Sequence, residues 1–466
     1  MLERDPGDLL PTPELRKNYL SFTENLAQAI GGVGPSAGVA LSIPWAFATA
    51  GNSTWLIFVV ALIAFLLIGI NFSEFASRTA SPGAIYHYAE LAFGRTAGLA
   101  AGWTYVFALL FSTCSPALVF AHYAIVLCRL IPGLSAIPHA AFVFLGVGVL
   151  VPCWISCRNV RLSSNLVLVM ECVSIGFMLV LAAVFFSRSP GMDLPQLKLT
   201  GATWNGFRTG SVLAFFNFTG FESATAFGGE SKKALQSIPR AIMSSLVPAG
   251  LLFIVMSYVL VASFRGYTPR LDQSEAPFDH LAALCGMPFF GHLINVGILM
   301  SFFACTLALL NASARVLYSI AQKGYFWRRV GVAHEANSTP HRAILILSVV
   351  VLGVPALLML FGSSLDDTIN NVSQLGSFGF MLSYLFICLG APVYLRDQGV
   401  LRPRHVAVAV AATGVIFIPL FSFFSPVPAA PLRYFPYLFV VLVLATTLLS
   451  WRSRKPGTPA PEARTE

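Results

Sequence analysis

Charge is what this chain has least of. Only 11% of its 466 residues are Asp, Glu, Lys or Arg, against 56% hydrophobic, with a mean hydropathy of +0.75. Roughly a quarter of a soluble domain is charged, so a water-soluble globule is excluded. Metal motifs are missing as well: the eight cysteines form no CxxC pair and the eight histidines no HxxxH or HExxH pattern. Cysteines such as Cys114, Cys153, Cys305 and Cys388 sit inside apolar runs and read as buried thiols rather than disulfide partners or ligands. No metal or cofactor is expected. Paired carboxylates and a nucleophile elbow are lacking too, which argues against an enzyme. The start "MLERDPGDLLPTPELRKNY" has no apolar core before an early cleavage site, so residues 1–20 are expected to be a cytoplasmic tail and not a signal peptide.

What is present is long uncharged runs such as "WLIFVVALIAFLLIGI" (Trp55 to Ile70) and "YLFVVLVLATTLLSW" (Tyr437 to Trp451), close to the ~20 residues that span a bilayer. Twelve such segments are predicted, at 22–48, 54–76, 98–130, 138–157, 163–187, 207–229, 239–264, 288–320, 341–362, 368–395, 404–425 and 433–451. The reading is an all-α polytopic membrane protein. "SFTE" at Ser21 to Glu24 fits a capping box that starts the first helix. With both ends in the cytosol, 22 of the 29 Lys and Arg fall on the cytoplasmic side and 7 outside, as the positive-inside rule requires. The net charge of +9 therefore reflects topology and not a nucleic-acid partner. The bilayer is the expected environment, with residues 452–466 as a second cytoplasmic tail.

Two spans carry residues that an unbroken helix avoids. The first reads "LAQAIGGVGPSAGVALSIP", with Gly31, Gly32, Gly34, Pro35 and Gly38 near its middle. Proline removes a helical hydrogen bond and glycine admits other backbone angles, so a break is predicted at Gly34 to Gly38. The sixth contains "NFTGFESA", where Thr219, Gly220 and Ser223 weaken the helix and Glu222 is costly in lipid unless it faces water, a partner or a ligand. Irregular backbone at mid-depth survives only where it is buried in protein or lines a cavity. Two breaks five spans apart are the sequence pointer to a transporter site at an inverted-repeat interface. Close helix packing is the plainer use of such small residues.

"FTGFESATAFGGESKKALQSIPRAI" (Phe218 to Ile242) resembles the Gly-Phe-Glu segment of the amino acid–polyamine–organocation (APC) transporter superfamily. "SPGAIYHYAELAFGRTAGLAAGWTY" (Ser81 to Tyr105) and "NASARVLYSIAQKGYFW" (Asn311 to Trp327) resemble its loop after helix 2 and its helix 8 exit. The resemblance implies a LeuT-type five-plus-five inverted repeat, 21–187 and 207–395, with helices 1 and 6 broken and two appended C-terminal helices over 404–451. It also implies a bacterial inner-membrane or other plasma-membrane carrier. A substrate carboxylate would sit on amides of Gly34, Ser36, Ala37 and Gly38. The amino group would sit on carbonyls between Phe216, Asn217 and Thr219, near Gly220 and Glu222, with Phe216 as an aromatic gate and Tyr105 as a pocket residue. One departure stands out: the family's glycine-serine-glycine signature is "PSAG" here, and Pro35 offers no amide. A substrate without a carboxylate gains weight from it.

Helix 5 places Glu171 among apolar neighbours with no Lys or Arg within one turn. A carboxyl there is a candidate for taking up and releasing a proton, and Glu222 is the second. Sodium is the competing ion, with Ser301 and Thr306 as hydroxyl ligands. "SPGAIYHYAELAFG" (81–94) and "APFDHLAALCGM" (276–287) are too short to span and read as surface helices. Glu230, Lys232, Lys233 and Arg240 are expected on a solvated cytoplasmic face. The functional expectation is a proton-coupled amino acid symporter. Its alternatives are a polyamine or amine exchanger of the same fold and a membrane sensor that binds an amino acid without moving it.

Overall fold

The computed structural model describes residues 14–129, 139–189, 191–274, 276–425, 427 and 430–453. Most of both expected tails, 1–13 and 454–466, lies outside the described residues. The first predicted span folds as two helices, α1 (Phe22–Val33) and α2 (Pro35–Ala50). There follow α3 (Thr54–Ala76), the short α4 (Ile85–Phe93), α5 (Arg95–Cys128), α6 (Ala140–Arg158), α7 (Val160–Arg188) and the single turn α8 (Leu194–Leu197). The second half opens with α9 (Trp204–Phe218) and a 3-10 segment, Phe221–Phe227, before α10 (Ala234–Ser263). It continues through α11 (Pro277–Leu284), α12 (Pro288–Gln322), α13 (His341–Leu360), α14 (Leu365–Asp397), α15 (Pro403–Phe421) and α16 (Phe435–Ser453). Among the described residues there is no strand beyond an isolated parallel bridge between Leu20 and Ser231.

Among the described residues, ten helical stretches are long and apolar enough to cross a bilayer, against the twelve expected. One of them, Phe22–Ala76, holds the first two predicted spans together. The sixth predicted span contains only the 15-residue α9 and the 3-10 segment. Glycine and a buried acid replace the apolar residues that would have continued the helix. Short helices α4 and α11 stand where the two surface segments were predicted. The capping box at Ser21 forms, with Glu24 accepting the Ser21 N–H at 2.8 Å.

The packing has a centre and a rim. The most apolar window of α5 is 89% buried and that of α12 72%, whereas the window over Leu432–Arg452 is 22% buried. Around the outside, Leu150, Trp154, Val169, Val349 and Leu448 are exposed. So much exposed apolar surface is incompatible with water, and lipid is the solvent it fits. The chain is an integral membrane protein. At the centre, α1, α2, α9 and α12 surround the two interruptions of the helical backbone.

Candidate functional site

The first interruption is one residue long. Gly34 takes φ 57° and ψ 62°, a left-handed conformation that ends α1 and starts α2. Its N–H closes on the Ile30 carbonyl at 2.8 Å, and its carbonyl accepts the Gly38 N–H at 2.8 Å. Beyond it, the Ala37 N–H donates to Ser301 Oγ of α12 at 3.0 Å. Ser301 in turn donates to Glu171 Oε1 of α7 at 2.5 Å. The amide and hydroxyl of Ser36 face the same carboxyl. Glu171 is fully buried, and its Oε2 has no hydrogen-bond partner.

The second interruption is longer. α9 ends at Phe218, Thr219 is extended, and Gly220 has φ 94°. Thr219 turns back on its own helix, with its N–H and hydroxyl both donating to the Phe216 carbonyl at 3.1 and 2.7 Å. Glu222 Oε2 accepts the Gly220 N–H at 3.1 Å and the Tyr384 hydroxyl of α14 at 2.8 Å. The Tyr105 hydroxyl faces the same carboxyl without closing a hydrogen bond. Of two adjacent phenylalanines, Phe215 is buried against Phe65 of α3, ring centroids 5.2 Å apart. Phe216, about 100° further round the helix, is half-buried and faces a cavity.

The two breaks touch. A Cβ placed on Gly32 would come within 2.3 Å of the Gly220 carbonyl oxygen, and one on Gly220 within 2.3 Å of the Gly32 oxygen. Glycine is required at both because backbone meets backbone. Side chains tie the broken helices as well: Ser223 Oγ donates to the Gln28 carbonyl at 2.8 Å. Ser42 Oγ donates to Asn217 Oδ1 at 2.5 Å, and Asn217 Nδ2 to the Gly38 carbonyl at 3.3 Å.

Beside this contact lies a small, partly open cavity of about 40 Å³, room for a few water molecules. Among the predicted substrate residues, Ala37, Gly38, Phe216, Asn217 and Thr219 line it. Gly34, Ser36, Tyr105, Gly220 and Glu222 do not; they stand behind the wall, as does Glu171. The rest of the lining includes Gly32 and Val33 of α1, Ser112 and Ser115 of α5, and Phe302 and Cys305 of α12. Sequence reading missed the α5 serines, which look like ordinary small residues of a packed helix. The two hydroxyls offered for sodium are not brought together. Thr306 donates to the Phe302 carbonyl of its own helix, and five residues on a helix turn Thr306 about 140° away from Ser301.

One expectation is corrected at the charged end of the molecule. Glu230 is not solvated but 1% exposed, paired with an equally buried Arg315 at 2.5 and 3.2 Å. The guanidinium also donates to the Asn311 carbonyl at 3.0 Å and lies over the Phe227 ring at 4.0 Å. Lys232, Lys233 and Arg240 are exposed as expected. The Glu230 carbonyl accepts the N–H groups of Tyr19 and Leu20 at 2.7 and 3.0 Å, strapping the segment before α1 onto this end. Nearby, Arg161 pairs with Glu24 at 3.2 Å and Lys323 with Glu90.

A family model described as amino acid permease matches residues 20–456. The chain is 25% identical over 349 residues to the low-affinity putrescine importer PlaP of Escherichia coli K12, covering 72% of this chain and 73% of that protein. It is 20% identical over 392 residues to the branched-chain amino acid permease BcaP of Bacillus subtilis, covering 80% and 78%. Cationic amino acid transporter 4 of Mus musculus is 25% identical over 381 residues, 77% of this chain but 57% of that longer protein.

Proposed function

Because the chain belongs to the amino acid permease family of the APC superfamily, we propose that it carries an amino acid or related amine across a membrane by alternating access. The observation that carries this reading is the backbone contact of Gly32 with Gly220 beside a small, partly open cavity. Two irregular segments pack against each other and border one shared cavity, the arrangement expected at a transporter's binding site. The proposed frame is the five-plus-five inverted arrangement of 21–187 and 207–395, with 404–451 appended. Both termini are in the cytosol, and the membrane is a plasma membrane.

In this reading the buried Glu230–Arg315 pair, with Glu24–Arg161 and Glu90–Lys323, holds one face shut. Opening that face requires their separation while the opposite side closes. The proton sites are Glu171 and Glu222, both fully buried, with only hydroxyl and amide donors closing hydrogen bonds on them. Each is an intramembrane carboxyl with one oxygen unpartnered, the setting in which proton relays are found.

The test is uptake into liposomes with imposed proton or sodium gradients. Glu171→Gln and Glu222→Gln are each expected to flatten the dependence on the proton gradient while leaving exchange of preloaded substrate measurable. An undiminished dependence in both variants removes the proton role, and stimulation by sodium alone replaces it. Saturable binding with neither flux nor exchange would make the protein a sensor.

A further inference from the structure

We infer that the substrate is a primary ammonium compound without a carboxylate, because the protein's own Ser301 and Glu171 take up the α2 amides that a ligand carboxylate would need. The inference rests on the transport reading and narrows its substrate class.

An α-helix leaves its first amides without partners and carries partial positive charge at that end, so the buried start of α2 is where an anionic ligand would be held. The amides there are already committed. Pro35 has no N–H, the Ser36 amide faces Glu171, and the Ala37 amide donates to Ser301. The Gly38 amide closes on Gly34. Although Ala37 and Gly38 line the cavity, their amides serve Ser301 and Gly34 rather than a ligand. Whichever protonation state Glu171 is in, it and Ser301 fill the space before those amides.

The carbonyl side is the reverse. Helical pairing would send the amide of residue 35 to the Gly31 carbonyl, and residue 35 is proline. It would send the Ala37 amide to the Val33 carbonyl, and that amide is spent on Ser301. The Gly32 carbonyl meets the Cys305 thiol at 3.7 Å, a weak donor. The last turn of α1 therefore turns under-used oxygens toward a space that Gly32 and Val33 line, and the C-terminal end of a helix favours a cation. Ser112 Oγ on the same wall is buried without a partner, and the Phe216 ring offers an aromatic face to an ammonium. No Asp, Glu, Lys or Arg lines the cavity. An ammonium meets those carbonyl oxygens and the ring; a carboxylate would find hydroxyls such as that of Ser112 but no cation among the lining residues.

The experiment uses the full chain in proteoliposomes and matched ligand pairs, 3-methylbutylamine with leucine and putrescine with ornithine, read by uptake and by binding to purified protein. In wild type at least one amine is expected to bind about tenfold or more tightly than its amino acid, the factor one lost polar partner costs. Glu171→Ala should shrink that ratio by about tenfold by releasing the α2 amides. Ser301→Ala, a smaller change, should shift it the same way if the first variant does not fold. Amino acids binding as well as their amines overturns the inference and leaves transport standing. An unchanged ratio in a folded variant overturns the role of Glu171 and Ser301. Amine binding without flux overturns transport and leaves the ligand class, whereas neither binding nor flux for either pair overturns both.

Discussion

The two breaks solve one problem by different means. At the first, a single left-handed glycine is enough, α2 resumes as a full helix, and the Ala37 amide is taken by Ser301, which in turn donates to Glu171 of another helix. At the second, the chain needs Thr219 and Gly220, resumes as a 3-10 segment, and is capped from within by Glu222. The first break depends on its neighbours and the second largely on itself. A carboxyl held by non-local partners can change them as helices move, while a local cap travels with its own segment.

The largest expected effect tests whether the breaks are one structure or two. Gly220→Ala puts a Cβ 2.3 Å from the Gly32 carbonyl at a φ of 94°; strain and overlap together should cost about 4 kcal/mol. Gly34→Ala, with φ 57° and its nearest contact a Cys305 side-chain atom at 3.2 Å, should cost about 1–2 kcal/mol. Thermal melts of the purified protein in detergent check the order, and equal losses would mean that the two breaks are not distinguished by backbone contact.

Next comes the anchor behind the second break. Arg315→Met leaves Glu230 buried and uncompensated and should cost about 3 kcal/mol. The double change with Glu230→Met should recover much of that. A single variant as stable as wild type would show that the segment after the second break does not rely on this pair.

The smallest effect lies at the short helix α4. Burial pulls the Glu90 carboxyl upward, but the nearby His87 ring and the hydrogen bond and charge of Lys323 outweigh it, holding the group below its ordinary 4.5. A depressed folded value means that this clamp's contribution is fully present above pH 4.5 and is lost as the pH falls below it. Glu90→Gln should lower stability by about 0.5 kcal/mol at neutral pH and remove that acid dependence, as melts from pH 7 down to 4 would show.

Much of this was legible in the residues. The positions of both breaks follow from Gly34-Pro35 and from Thr219-Gly220, because proline lacks a donor and glycine takes positive φ at no steric cost. Glu222 could be read as a site residue because a carboxylate within an apolar span is costly unless it meets a partner. The burial of Glu230 could not, because nothing local distinguishes Arg315 from the other basic residues near the helix ends; only packing brings them together across 85 positions of chain. The α5 serines were invisible for the same reason.

Alone, the sequence determined that the chain lives in lipid, where its helices lie and where two of them fail, since hydropathy and backbone chemistry are local. The fold decided what those failures meet: Gly32 packs against Gly220, the Ala37 amide turns to Ser301 and the Ser36 amide faces Glu171. Which polar group a buried amide meets is set by the arrangement of helices hundreds of residues apart, and no local pattern encodes it.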